Sequence, residues 1–153
     1  LPDRKIQNIK TAAILHDIGK IGVDDSILKK PGFLSKIEYS EIQKHASMGA
    51  EIIKDVDFLK EISQIIRCHH ERYDGLGYPN GLTGRQIPVE ASILAIADVY
   101  DAMTSNRPYR KALDMDTALN EIKVNAGKQF DPELAQKFCE LMQSGVVSGD
   151  SKA

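Results

Sequence analysis

The sequence predicts an all-α fold, on three observations. Apolar residues recur every three or four positions along most of the chain, no segment shows the apolar-polar alternation of a strand, and residues suited to start a helix stand just ahead of several apolar runs. Only Tyr73 to Pro88, with Gly75, Gly77, Pro79, Gly81 and Gly84, excludes a continuous helix and reads as a shaped loop.

The elements follow in order. Ile6, Ile9, Lys10, Ala13 and Ile14 recur at helical spacing, so a first helix runs up to His16 and stops near Gly19, where a residue without a Cβ can end it. Lys30-Pro31-Gly32 is a turn, and Ser35 with Glu38 forms a capping-box signature for a helix that carries Ile42 and His45 and bends near Gly49. Phe58, Ile62, Ile65, Ile66 and His69 line up on one face of the next helix, with His70 beside its end. From Val89 to Ser105 a helix presents Ala91, Leu94, Ala95, Asp98 and Ala102, a face that is apolar apart from one carboxylate. Burying that carboxylate without a partner is costly. Asp114 or Asp116 starts a helix with Ala118, Leu119 and Ile122, and Asp131-Pro132 is a cap and first-turn pair for the last one. From Gly145 onward the chain reads as a frayed tail.

With 153 residues and 42% hydrophobic content the chain suffices for one core, and a net charge of -2 gives no general attraction to DNA or to an anionic membrane. No apolar run approaches the length of a membrane span, and the first ten residues lack the order of a signal peptide, so a cytoplasmic chain is expected. Cys68 and Cys139 are too few and too far apart for a disulfide framework or a thiolate zinc site, and are expected as reduced core residues.

The chemistry is carried by His16, Asp17, His45, His69, His70 and Asp98, a set that includes every histidine of the chain. Imidazoles and carboxylates without cysteine suit a redox-tolerant or hydrolytic divalent-metal centre. A lone histidine on an apolar stripe, as His69 is, is more often a hydrogen-bonded core residue than a ligand. Here the clustering reverses that expectation. For Asp98 the alternative is a helix-packing carboxylate paired with an arginine, and Asp101 can simply cap or pair locally. Lys20, one turn beyond His16, divides between catalytic assistance to a leaving oxygen or to transition-state charge and a structural salt bridge to a ligating carboxylate. Gly77, Tyr78 and Pro79 lie where backbone amides can approach a phosphate and where Tyr78 offers a hydroxyl or a stacking face. Arg107 and Arg110 can grip phosphate or guanine edges, or form a solvated basic patch. Glu71 and Asp74 can hold the loop through hydrogen bonds rather than meet substrate.

His16-Asp17-Ile18-Gly19-Lys20, the run from His69-His70-Glu71 through Gly77-Tyr78-Pro79, and Asp98-Val99-Tyr100-Asp101-Ala102 resemble the signature blocks of HD-GYP phosphodiesterases, members of the HD phosphohydrolase superfamily. The likeness extends to Lys30-Pro31-Gly32, His45, Arg107-Pro108-Tyr109-Arg110 and Gly127 to Pro132, nearly the whole chain. It implies an HD-like helical bundle with a Gly/Pro-rich GYP loop and additional C-terminal helices, spanning residues 1–144, followed by a flexible tail over residues 145–153. It implies two or three divalent ions, iron, manganese, nickel or zinc, with His45, His69 and His70 on one, His16 and Asp98 on another, and Asp17 as the bridge. Two such ions clamp the attacking and leaving oxygens of a phosphodiester. The implied substrate is cyclic di-GMP, opened to linear pGpG and further to GMP. Catalytic roles fall to Asp17 and Lys20, and substrate binding to Gly77, Tyr78, Pro79, Arg107 and Arg110. The partners implied are an N-terminal receiver or sensor domain, a diguanylate cyclase and a second copy of the chain.

Two departures from the pattern stand out. HD-GYP domains usually carry a further histidine, often with a glutamate, on a helix before the His-Asp block, and neither precedes His16 here, so the chain is expected to be a fragment of a longer signalling protein. Ser92 stands where relatives often have arginine. Two further readings stay open: a folded regulatory or protein-interaction module without turnover, and a general HD-type nucleotide phosphohydrolase, which leaves the Gly77-Tyr78-Pro79 loop unused.

Overall fold

The computed structural model describes residues 1–106 and 111–145, and these form an all-α fold. Seven helices follow in order: α1 Asp3–Leu15, α2 Asp25–Leu28, α3 Lys36–Ile53, α4 Lys60–Cys68, α5 Val89–Thr104, α6 Met115–Val124 and α7 Pro132–Gln143. Among the described residues β structure is limited to two isolated bridges, Asp74 with Thr83 and Ala126 with Phe130. No helix of the described residues is long and apolar enough to cross a membrane. Arg107 and Arg110 lie outside the described residues, as does all of the expected tail beyond Gly145.

Local chemistry sets several helix starts. Ser35 Oγ accepts from Glu38 N at 3.3 Å while Glu38 returns a carboxylate to Ser35 N at 2.7 Å, so two otherwise unpaired amides of α3 are satisfied together. Asp114 rather than Asp116 caps α6, accepting from Thr117 N at 2.9 Å. Asp131 caps α7 through Glu133 N and Leu134 N, with Pro132 in the first turn where a missing N–H costs nothing.

α5 joins two cores. Its N-terminal half, with Ala91 and Leu94, packs with Ala12, Ile53, Ile62, Ile65 and Ile66 of α1, α3 and α4. Ile96, Val99, Tyr100 and Met103 pack instead against Leu119 and Ile122 of α6 and Ala135 and Cys139 of α7. The single apolar face expected for this helix is therefore incomplete: Ile96 is buried on a second side because α6 and α7 fold back onto it. Both cysteines are free and buried, and burial pushes the Cys68 thiol up to about 11.

Three other expectations are corrected. The buried stripe of α1 runs through Ala12 and Leu15, which pack into the first core, whereas Ile6 and Ile14 face out. Phe58 is 79% exposed, because it falls in a 3₁₀ turn, Asp57–Leu59, ahead of α4, and Leu59 takes the core position. α3 continues as helix through Gly49, where the glycine serves close packing instead of a break. A Cβ on Gly49 would lie 3.2 Å from Gly19 N, and one on Gly19 would lie 1.9 Å from the His45 carbonyl oxygen. These two glycines let the turn after α1 press directly on α3, which decides where Asp17 sits relative to His45.

Candidate metal centre

α1 ends at Leu15, so His16 occupies its C-cap and Asp17 begins the 3₁₀ turn Ile18–Gly22. His45 lies inside α3, His69 caps the C-terminus of α4 with His70 next to it, and Asp98 lies in α5. The four helices converge at this point, and all six expected residues reach it or its rim.

Three of the imidazoles are oriented in the same way. His16 Nδ1 lies 2.8 Å from Ala13 O, His45 Nδ1 2.7 Å from Ile42 O, and His69 Nδ1 2.6 Å from Ile66 O, each bond reaching back three residues along its own chain. A carbonyl oxygen only accepts, so each Nδ1 carries the proton and each Nε2 is left as a bare lone pair aimed into the centre. One nitrogen each of His45, His69 and His70 lie within 4.8 Å of one another. His45 and His69 are 1% exposed, and their Nε2 atoms have no hydrogen-bond partner among the described residues. An unsatisfied buried polar atom costs about 1–3 kcal/mol, and here two of them face the same point.

The carboxylates complete the arrangement. Asp17 Oδ1 is 3.6 Å from His45 Nε2, Asp17 Oδ2 is 3.6 Å from His16 Nε2, and Asp98 Oδ1 is 3.7 Å from that same His16 nitrogen. Asp17 thus stands between the His45 group and the His16-Asp98 group with one oxygen toward each. Bare imidazole nitrogens opposed by carboxylates, with no thiolate, fit a borderline divalent transition ion. Lys20 Nζ donates to Asp17 Oδ2 at 2.6 Å, so of its two expected roles the salt bridge is present. Asp98 is half-buried rather than enclosed, with 28% of its side chain exposed, which reduces the burial cost anticipated for it. Asp101 pairs locally with Ser105 Oγ at 3.2 Å.

Burial lowers the pKa of His45, that of His69 to about 4 with His45 and His16 contributing, and that of His70 to about 2 with His69 and His45 contributing. Burial pushes the Asp17 carboxyl up, but the Lys20 hydrogen bond and charge, with His16 and His45, outweigh it and hold the group below its usual range. The centre at neutral pH is therefore neutral imidazole on one side and ionised carboxylate on the other.

The loop after His70 is built by its own acids. Buried Glu71 accepts from Asn80 N at 2.7 Å and Leu82 N at 2.9 Å, and Asp74 takes a two-pronged contact from Arg72 and accepts from Leu76 N. Gly77 is required by backbone packing, since a Cβ there would lie 2.4 Å from Arg72 N and 2.6 Å from His70 O. The amide of Tyr78 is spent on His70 O at 3.2 Å, so the expectation of backbone amides free for phosphate fails at this residue. The Tyr78-Pro79 peptide bond is cis. The Tyr78 ring stands 4.8 Å from that of His70, and burial, with Tyr39, Asp98 and Asp17 nearby, pushes its hydroxyl above its ordinary value, keeping it a neutral donor.

A cavity of about 430 Å³ opens beside the centre, lined by His69, His70, Tyr78, Asp98 and, unforeseen from the sequence, Tyr39, Gln43 and Gln129. Tyr39 and Gln43 are four residues apart on α3, but Gln43 and His45 are only two apart, so helical spacing alone does not assign either residue to the centre. Ser92 hydrogen-bonds Pro88 O at 3.4 Å and does not line this cavity. A larger cleft of about 880 Å³ near Leu1, Arg85 and Lys137 contains none of the centre's residues, and its Lys5–Glu90 and Lys137–Glu133 pairs neutralise one another.

A helical domain in which a His-Asp pair at a helix end faces imidazoles from two other helices and a carboxylate from a third is of the HD type. A family model described as HD domain matches residues 1–134, and the chain belongs to that family, in its HD-GYP branch. Over 134 residues it is 45% identical to the cyclic di-GMP phosphodiesterase response regulator RpfG of Xanthomonas campestris pv. campestris, covering 86% of this chain and 35% of that protein. It is 42% identical over 138 residues to a cyclic di-GMP phosphodiesterase of Thermotoga maritima, covering 89% of this chain and 38% of the other. A third relative, the 3'3'-cGAMP-specific phosphodiesterase 3 of Vibrio cholerae, is 40% identical over 125 residues, 82% of this chain and 27% of that protein. The chain thus spans less than two fifths of the length of these relatives. The crystal structure of the V. cholerae cyclic GMP-AMP specific phosphodiesterase V-cGAP3 shares the fold, with a TM-score of 0.71 at 20% identity, over 94% of this chain and 39% of that one.

Proposed function

We propose that this domain is the catalytic part of a metal-dependent phosphodiesterase of bacterial signalling that opens cyclic di-GMP to linear pGpG and cuts that to GMP. The observation that carries this reading is the pair of buried, unpartnered Nε2 lone pairs of His45 and His69, set against two carboxylates at the edge of a cavity of about 430 Å³. The relatives named as cyclic di-GMP phosphodiesterases support the substrate, and the one named a response regulator supports an output role.

His45, His69 and His70 would hold one ion, His16 and Asp98 a second, and Asp17 would lie between them. When bound, a divalent pair supplies positive charge that polarises a phosphoryl oxygen and acidifies water. The chain's own residues do the rest. Nδ1 bonds to Ala13, Ile42 and Ile66 lock the imidazoles in the tautomer that presents Nε2. Lys20 acts through Asp17, fixing the carboxylate's orientation and keeping it ionised. Tyr78 offers a neutral O–H to the substrate, and Glu71 holds the loop that carries it.

The test is hydrolysis by the purified chain after supply of Mn²⁺ or Fe²⁺, followed by chromatography for pGpG and GMP. Retention of about two metal equivalents with turnover is expected. A chain that keeps fewer and stays inert is instead the folded regulatory module. A second reading, 3'3'-cGAMP as the substrate, is favoured by relatives named for that specificity at 38–40% identity. Side-by-side rates on the two cyclic dinucleotides and on nucleoside triphosphates separate these readings from each other and from a general phosphohydrolase.

A further inference from the structure

The lining of the cavity is of two chemical kinds. His69, His70 and Asp98 are groups that could hold a cation facing a phosphate, whereas Tyr39, Gln43, Leu76 and Gln129 present an aromatic ring, an alkyl group and two uncharged amides. Tyr39 and Gln43 lie one helical turn apart on α3, six and two residues before His45, so the same rigid helix sets their distance from the centre. Gln129 approaches from the connection between α6 and α7, and its backbone is fixed at both ends: its N–H donates to Asn125 O at 3.0 Å and its carbonyl accepts from Tyr73 N at 3.2 Å. That second bond ties it to the loop following His70.

The amides are uncommitted. Gln64, Gln86 and Gln136 each use their side chains in a hydrogen bond, but neither Gln43 nor Gln129 does so with any described residue, although both are half-buried and line the cavity. The Arg72 guanidinium nearby is already held by Asp74. Of the lining residues, Tyr39 and Leu76 keep 52% and 79% of their surface exposed, enough to receive a flat apolar face.

We infer that Tyr39, Gln43 and Gln129 form a purine-reading subsite of this cavity, with Tyr39 as the stacking platform and the two glutamine amides on the edge of the base. The inference rests on the cyclic dinucleotide reading above and names the groups that choose the base. An amide carries a donor and an acceptor on one fork. It can pair with the acceptor-donor edge of guanine or, turned over, with the donor-acceptor edge of adenine. A single-stranded base is recognised in this way, by stacking on an aromatic ring and by hydrogen bonds to its exposed edge.

The experiment compares wild type, Gln43→Ala, Gln43→Glu and Gln129→Ala of the whole metal-supplied chain on cyclic di-GMP, 3'3'-cGAMP and the base-free diester bis(p-nitrophenyl) phosphate. Calorimetric binding of cyclic di-GMP in EDTA is measured alongside. Each alanine variant is expected to lower kcat/KM for the dinucleotides about tenfold more than for the base-free diester, mainly through KM, and to weaken binding in EDTA by about the same factor. Gln43→Glu, which keeps only acceptors, is expected to shift the rate ratio toward the guanine-only dinucleotide. Equal losses on all three substrates, or undiminished dinucleotide kcat/KM in both alanine variants, would overturn the subsite while leaving the phosphodiesterase reading in place. A wild-type chain that cleaves only the base-free diester would overturn the cyclic dinucleotide substrate and the subsite with it.

Discussion

On the inner side of the centre, His45 and His69 are 1% exposed and neutral, and each holds a fixed tautomer through a carbonyl of its own chain segment. On the outer side, Asp17 and Lys20 keep 43% and 42% of their side-chain surface in solvent, and the charges there are formal ones. The difference follows from the elements that carry them. α3 and α4 pack against each other and bury whatever lies on the shared face, while the turn after α1 rides on top and leaves Asp17 at the rim. The inner side is therefore rigid and suited to holding an ion, and the outer side stays open to solvent.

The comparison can be broken most sharply at Asp17, whose two oxygens lie 3.6 Å from His45 Nε2 and 3.6 Å from His16 Nε2. Asp17→Ala is expected to strip bound metal and to lower kcat by about 10³-fold or more, as judged by metal content and turnover together. Retention of full metal content in that variant would show that the two sides are not joined through this carboxylate.

Lys20→Ala comes next. Loss of its ammonium from the outer side is expected to cut kcat by about 10²-fold with metal retained. Because Lys20 helps hold the Asp17 carboxyl below its usual range, the acid limb of the rate profile is expected to move to higher pH. An unmoved limb would leave Lys20 without the positioning role assigned to it.

The inner side makes its own prediction in metal-free protein. His69 in the fold has its pKa lowered to about 4, below the ordinary histidine value, so the unfolded chain binds more protons between these values. Stability is then complete above about pH 6.5 and declines as pH falls toward 4. Thermal melts in EDTA should show the midpoint dropping by several degrees over that window. A midpoint that holds or rises would mean the imidazoles are not buried as neutral bases.

Tyr78→Phe is the smallest perturbation. Removing one neutral hydroxyl at the edge of the cavity is expected to raise KM by roughly two- to tenfold with kcat and metal content little altered. Equal losses in KM and metal content would place Tyr78 in the support of His70 instead of the handling of substrate.

What could be read from the sequence was what local chemistry decides. Ser35 with Glu38, and Asp131 with Pro132, announce helix starts because a cap needs only its own first turn. The stripe Ile62, Ile65, Ile66 and His69 was legible because one face of α4 is buried against one surface. Two of the misreadings depend on which neighbour an element meets, while that of Phe58 comes from a 3₁₀ turn ahead of α4. Ile14 fits a helical period as well as Ala12 does, and only packing against α4 and α5 selects Ala12. Ile96 is buried because α6 and α7 return to α5. The candidate ligands could be proposed as a set because histidines are scarce in this chain, whereas Gln43 and Gln129 acquire meaning only from a cavity that three distant segments enclose.

The central claim is that the inner imidazoles and the outer His16-Asp98 pair hold separate ions with Asp17 between them. Anomalous scattering from crystals of the metal-supplied chain tests it most directly. Two peaks are predicted, one against the Nε2 atoms of His45 and His69 and the ring of His70, the other against His16 Nε2 and Asp98 Oδ1. Full metal saturation with no peak at the His45 and His69 nitrogens would contradict it.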